Sequence, residues 1–196
     1  MLEFLTGTGL AISAGLNAYV PLLALGLAGR FLDFVDLPAG WTWLENPWAL
    51  GILAILLVIE IVADKIPIVD SVNDWLQTIM RPTAGGLAFA SGSTATTSVV
   101  SDPAAFFSSN QWVPLVLGAA IALVVHLTKA ASRPVINAVT VGTATPVVSA
   151  AEDVGSVAVT LLALLIPILI LLVIPIVVWL AWWILRRWTR RKRPAP

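Results

Sequence analysis

The chain has 196 residues, 59% of them hydrophobic and only 11% charged, with a mean hydropathy of +0.95. Soluble domains carry about 25% charged residues, so a water-soluble globule is excluded in favour of an integral membrane protein. Eleven cations balance eleven acids, but Arg186, Arg187, Arg190, Arg191, Lys192 and Arg193 crowd the C-terminus, which leaves the rest of the chain net acidic; cysteine is absent, so disulfides and thiolate chemistry are excluded.

In chain order, the N-terminus "MLEFLTGTGL" lacks the basic stretch of a signal peptide, so the first apolar segment, about 7–28, is expected to stay in the mature protein. A loop follows, with Trp41, Trp43 and Trp48 placed as interface anchors. The second segment, 48–66, ends at Pro67, which cannot continue a helical hydrogen-bond ladder. Residues 71–81 mix polar and apolar types and read as interfacial or re-entrant. The third segment, about 83–101, is built of small residues, Ser and Thr, which permit close helix packing in lipid. The fourth is 112–132, and 134–150 is again small, polar and broken by Pro and Gly. The last, about 154–185, exceeds a roughly 30 Å hydrocarbon core and must tilt or kink, with Pro167 and Pro175 as kink sites. The polybasic end "RRWTRRKR" places the C-terminus in the cytoplasm.

Two halves of the chain echo each other. "GLAISAG" (9–15) is similar to "GLAFASG" (86–92), and "VIEIVADKIPIVDSV" (58–72) to "VVHLTKAASRPVINAV" (124–139) with one insertion. Pro67 then aligns with Pro134, Asp70 with Asn137 and Glu60 with His126; "RP" at 81–82 matches "TP" at 145–146. Such repeats, with short or broken apolar segments at equivalent positions, point to transporter-like or channel-like architecture. A duplicated hairpin with no transport role is the alternative.

The polar residues fall on the same frame. Glu60 and Asp64 share a helix face, as do Asp70 and Asp74. Counted from Trp48, Glu60 lies roughly 18 Å along its helix, at hydrocarbon depth, where a lone carboxylate must find a partner or a proton. In the second half His126, Lys129, Arg133 and Asn137 step by three, four and four, one helical stripe that is basic where the first half is acidic. Face-to-face packing of the halves would set the acids against those bases. Lys65 and Arg81 add cations to the first half, and Glu152 and Asp153 add carboxylates at the start of the last span. Arg81 and Arg133 are read as ion-pair partners of the acids, with anion clamping as the alternative. His126 is read as a neutral ring bonded to a carboxylate, with a proton relay as the alternative. Asn17, mid-span between Gly15 and Pro21, either lines a helix break or bonds a neighbouring helix; Tyr19 is read as packing.

Other chemistry finds little support. One histidine and no cysteine leave only carboxylate-rich sites for hard cations, at spacings that match no metal loop. No nucleophile–base arrangement is present, and the glycines of "GTGLAISAG" lie in an apolar span rather than a phosphate loop.

The stretches "SAGLNAYVPLLALGL", "EIVADKIPIVDSVNDWLQTIMRPTAGG", "HLTKAASRPVIN" and "SAAED" resemble the bacterial membrane family known as domain of unknown function 4126. The resemblance runs from about residue 7 to 155, and the acidic block around Glu60, Asp64 and Asp70 is its most specific part. The last span and basic tail look more variable. The family pattern often has an asparagine ahead of the serine in "S-x-x-E-D"; here Thr145 or a neighbour takes that place. The family name implies no activity. It supports the architecture and the polar residues, and supplies no substrate.

The expected fold is an all-α polytopic membrane protein of the bacterial inner membrane. It has two related helical-hairpin repeats (about 7–82 and 83–150) with re-entrant or broken helices, a long C-terminal transmembrane helix (about 154–185) and a basic cytoplasmic tail (186–196). The expected function is a small transporter or channel for an ion or small polar solute, without a cofactor and without nucleic-acid partners. Glu60, Asp64 and Asp70 would form the acidic side of its site, and His126, Lys129 and Arg133 the basic side. Lys65, Asp74, Arg81, Glu152 and Asp153 would extend it, and Asn17 and Asn137 would act at helix breaks. Glu60 would exchange a proton as the pairs rearrange. The alternative is a non-transporting scaffold or assembly factor in which the cluster is a structural ion-pair network; a lipid-modifying enzyme is a third reading. A homodimer with a site between protomers is compatible with the small-residue faces. Whether water reaches Glu60 separates the first two readings.

Overall fold

The computed structural model describes residues 1–33, 35–93, 112–141 and 143–191, with the side chains at 67, 68, 70–72, 135, 184, 185 and 187–191 outside the description. The described residues are all-helical: α1 (Leu2–Leu16), α2 (Tyr19–Phe31), a 3-10 turn (Thr42–Glu45), α3 (Pro47–Ala63), α4 (Pro67–Gly92), α5 (Trp112–Thr140), α6 (Thr145–Leu165), a second 3-10 turn (Pro167–Leu169) and α7 (Ile170–Arg191). Two of them, α5 and α6, are long and apolar enough to cross a membrane.

Local chemistry sets these boundaries. Asn46 caps α3, its side chain accepting from the Trp48 N–H at 2.9 Å, and Pro47 supplies the fixed φ of a first helical turn. Ile66 is extended, as a residue before proline prefers, and Pro67 then opens α4. The first apolar segment is two helices rather than one, because Asn17 turns extended (φ −145°, ψ 123°). Its Oδ1 accepts from the N–H groups of Tyr19 (3.2 Å) and Val20 (3.3 Å) and so starts α2.

Three expectations are corrected. Residues 71–81 and the third segment are not separate elements: 71–81 run without interruption into 83–92 as α4, through Pro82. The break expected at 134–150 is shifted, since α5 continues through Pro134 to Thr140 and α6 begins at Thr145. The last segment is two helices, α6 and α7, rather than one; the interruption at Ile166 and Pro167 falls at one of the two expected kink sites, while Pro175 lies inside α7. A proline removes one backbone donor, and packing on neighbouring helices carries α4, α5 and α7 across that loss. Residues 94–101 of the expected third segment lie outside the described residues, as do 192–196 of the basic tail.

The first helix is the centre of the bundle, packed against α4, α5 and α6. Leu10, Ala11, Ser13 and Ala14 are all fully buried. The small residues read from the sequence permit backbone contact: a Cβ added at Gly85 on α4 would stand 2.9 Å from the Gly118 carbonyl oxygen on α5. The outside is apolar. On α3 the stripe Ile52, Ile55, Ile59 and Val62 is exposed, and on α7 so are Leu172 and Ile176. Of the three tryptophans read as anchors, Trp43 and Trp48 are exposed, but Trp41 is buried.

Candidate functional site: a helix break held by buried charges

The break between α1 and α2 leaves backbone groups without helical partners, as every helix end does. Here they lie in the protein interior, and charged side chains meet them. Arg81 Nη1 donates to the Gly15 carbonyl (3.3 Å), and Lys129 Nζ donates to the Leu16 carbonyl (3.3 Å). On the other side of the break the Ala18 N–H donates to Glu60 Oε2 (3.2 Å). Cations therefore face the carbonyl end of α1, and a carboxylate faces the N–H end of α2. This is the polarity that the helix dipole favours.

These same side chains pair with each other. Arg81 Nη2 lies 2.9 Å from Glu60 Oε1 and 3.4 Å from Asp64 Oδ2. Lys129 Nζ lies 2.8 Å from Asp64 Oδ2 and 3.2 Å from Glu152 Oε2. Arg133 pairs with the same Glu152 carboxylate, and Lys65 reaches Asp153 at 3.5 Å. Asn73 Nδ2 donates to the remaining Asp64 oxygen at 2.7 Å. Asn17 Nδ2 donates to Asp153 Oδ1 at 3.0 Å, so the residue at the break joins the network through α6. The side chains of Arg81, Glu60 and Asp64 are at most 1% exposed, whereas Lys65, 36% exposed, marks the solvent-facing rim.

Asp64 meets Lys129 across the two halves, but Glu60, which the repeat aligns with His126, does not pair with it. The partner of Glu60 is Arg81, from the adjacent helix of its own half, and Arg133 reaches Glu152 on α6. His126 meets no carboxylate among its hydrogen bonds. Its Nδ1 is 3.3 Å from Arg81 Nη1, and its Nε2 is 3.0 Å from Thr78 Oγ1. A guanidinium only donates, so Nδ1 must be the accepting nitrogen and Nε2 carries the hydrogen. Thr78 accepts that hydrogen and passes its own to the Asp74 carbonyl at 2.9 Å. The ring is thereby held neutral. Arg81 is thus the hub: it touches Glu60, Asp64, His126 and the end of α1.

Asn137 lies apart from this hub in its bonding. It does not sit at a break, and its Oδ1 accepts from Thr145 Oγ1 at 2.7 Å, tying the end of α5 to the start of α6. Asp74 contributes a buried Oδ1 that has no hydrogen-bond partner. The side chain of Asp70 lies outside the described residues.

Sequence reasoning missed Asn73, Gln77 and Thr78, and also a buried hydroxyl cluster between α1 and α6. There Ser13 Oγ lies 2.7 Å from Ser156 Oγ and 2.6 Å from Thr160 Oγ1, and Ser156 donates to the Ser13 carbonyl at 3.1 Å. The signal was available: Ser13 is one turn before Asn17, and 149, 152, 153, 156 and 160 step along one side of α6.

Chemically, the arrangement can hold charge and shield it from solvent. Among the described residues no group of three or more His, Asp or Glu is placed to hold a metal ion. Two cavities at the surface, one between α1, α5 and α7 bounded by Phe4, Ile12, Val125 and Val178 and one at α2 and α6 bounded by Leu27 and Leu161, have no ionisable residue in their linings.

No curated protein and no solved structure matches the chain. The family model described as Domain of unknown function (DUF4126) matches residues 4–187. That span takes in the helix break, the ion pairs and every candidate residue named from the sequence, and the chain belongs to this family.

Proposed function

We propose that the protein is a multi-pass protein of the bacterial inner membrane, with a cytoplasmic C-terminus, that moves an ion or small polar solute, and that the charge network at the Asn17 break is its site in a closed conformation. The observation that carries this reading is the break itself. Irregular backbone at membrane depth is tolerated where it is buried in protein or lines a path, and discontinuous helices whose ends face ions are the usual construction of transporter sites. Here both bare ends face charged side chains that other charged side chains can claim instead. An apolar exterior on α3 and α7 around a charged interior supports membrane embedding. The related stretches 9–15 and 86–92 lie on α1 and α4, which pack together, as two repeats sharing an interface would. A substrate would compete for Arg81 or Glu60, release the ends of α1 and α2 and let the two helices move.

The scaffold reading is favoured by one observation: Glu60, Asp64, Lys129 and Arg81 are each paired and almost completely buried. An occluded transporter and a permanent network share that state, so function separates them. Protein reconstituted in liposomes under imposed proton, alkali-cation and anion gradients should show flux, and Glu60→Gln should abolish it while helical content is retained. Folded wild-type protein that passes none of these ions and no small polar solute sinks the transport reading and leaves the scaffold.

A further inference from the structure

The ion pairs leave negative charge over. The two stretches that build the network, 58–81 and 124–153, hold six carboxylates (Glu60, Asp64, Asp70, Asp74, Glu152, Asp153) against four cations (Lys65, Arg81, Lys129, Arg133). His126 adds nothing, because its two hydrogen bonds hold it neutral. All four cations already face carboxylates other than Asp74: Arg81 faces Glu60 and Asp64, Lys129 faces Asp64 and Glu152, Arg133 faces Glu152, and Lys65 faces Asp153.

Hydrogen bonding shows a shortage at the same place. Asp74 Oδ1 is buried and receives no hydrogen bond. One turn along α4, Gln77 is 3% exposed, and its Oε1 is also buried and receives none. Residues three apart on a helix are neighbours on one face. As oriented, two acceptors cannot satisfy each other, and orphaned buried acceptors are uncommon in folded proteins; turning the Gln77 amide over would supply a donor but leave the excess charge untouched. A single proton answers both deficits: on Asp74 it turns an acceptor into a donor, gives Gln77 Oε1 a hydrogen to accept, and lowers the excess charge.

We propose that Asp74 is a proton-binding site beside the ion-pair network, held as the neutral acid with its O–H directed to Gln77 Oε1. Among the described side chains, the charged groups within electrostatic reach are Asp64 at the end of α3, Arg81 on α4 itself, and Lys129 and Arg133 on α5; Asp70, one turn earlier on α4, has its side chain outside the description. An alkali cation is a poorer occupant: hard cations take six or more oxygen ligands, and here two free acceptors stand among three cations. A water donating to both oxygens would satisfy them but leave the excess charge in place. The site does not rest on the transport reading. Its test is spectroscopic, so the presence or absence of flux leaves it untouched.

Infrared spectra of the purified protein in lipid nanodiscs at pH 7, in H2O and D2O, test it. The expected result is a protonated-carboxyl C=O band that shifts in D2O, disappears in Asp74→Asn and moves to higher frequency in Gln77→Leu, where its acceptor is lost. Asp74→Asn should keep the wild-type melting temperature, since it replaces one neutral side chain by another. If that variant fails to fold, Gln77→Leu decides, because it keeps Asp74. Any one of four results overturns the proposal: no such band in folded wild-type protein, a band that survives Asp74→Asn, a band unmoved by Gln77→Leu, or a band that arises only when sodium and potassium are removed.

Discussion

Arg81→Met should be among the most damaging single changes in the bundle, and Glu60→Gln should partly repair it. The methionine keeps an unbranched stem where the Arg81 side chain is fully buried, so packing is largely preserved. What is lost is the 2.9 Å pair with Glu60, the weaker 3.4 Å contact with Asp64, and the bonds to the Gly15 carbonyl and His126 Nδ1. Breaking a buried ion pair from one side costs roughly 3–5 kcal/mol, because an uncompensated charge stays behind. Glu60→Gln alone should cost less, about 1–3 kcal/mol, since Arg81 retains Asp64 and the amide oxygen can still accept. In the double variant neither charge is stranded, and Asp64 keeps Lys129 at 2.8 Å. The double variant should therefore fall short of the summed single costs by about 2 kcal/mol. Reversible unfolding in mixed micelles, followed by tryptophan fluorescence, measures all four corners of this cycle. Additivity within about 0.5 kcal/mol would falsify the claim that these two residues act as one unit. Under the scaffold reading the double variant should also regain whatever activity the singles lose. Under the transport reading it should regain stability and stay inactive.

Two further outcomes follow from the packing. Gly85→Ala should separate α4 from α5 and cost about 1–3 kcal/mol, because its Cβ would meet Ala122 and the Gly118 carbonyl; Gly51→Ala, with open space around its Cβ, should instead gain up to about 1 kcal/mol in the same unfolding assay. Asn17→Ala should cost about 1–2 kcal/mol through loss of the cap on Tyr19 and Val20 and of the bond to Asp153, and hydrogen exchange should quicken first at those two amides; unchanged exchange there would show that the break is held by backbone packing alone.

The apolar character of the helices and the identity of the charged residues were legible because both are compositional. Glu60, Asp64, Lys129 and Arg133 stand out in apolar surroundings, and a helix face follows from spacing alone. Pairing was not legible in the same way. The repeat alignment set Glu60 opposite His126, yet pairing is decided by reach and by crossing geometry. Arg81, twenty-one residues on and one helix over, has both the length and the fixed fork that a carboxylate and a carbonyl require together. Prolines marked boundaries unevenly, since the sequence signal is a lost donor and the outcome depends on neighbours: the boundaries expected at Pro67 and Pro167 are present, while Pro82, Pro134 and Pro175 are carried within helices. The hydroxyl cluster of Ser13, Ser156 and Thr160 left a signal in its spacing, but serine and threonine abound in the chain, and only the crossing of α1 with α6 selects these three.

The helix break and the buried charges are best understood as one device. Interrupting a helix in a low-dielectric interior strands carbonyl and N–H groups, each of which carries a desolvation penalty. Neutral side chains would cap them and fix them permanently, as Asn17 does for Tyr19 and Val20. Arg81, Lys129 and Glu60 cap the rest, and Coulomb attraction holds them in a chain: Glu60 to Arg81, Arg81 to Asp64, and Asp64 to Lys129. Such a cap is conditional. Anything that neutralises Glu60, or offers Arg81 a better anion, weakens the hold on the Gly15 carbonyl and the Ala18 N–H at once, because the same side chains make both sets of bonds. A break capped in this way couples local charge to the relative position of α1 and α2, and α1 in turn touches α4, α5 and α6. The cycle at Arg81 and Glu60 is therefore a test of whether that coupling exists, and exchange at Ala18 in the single variants reports whether it reaches the backbone.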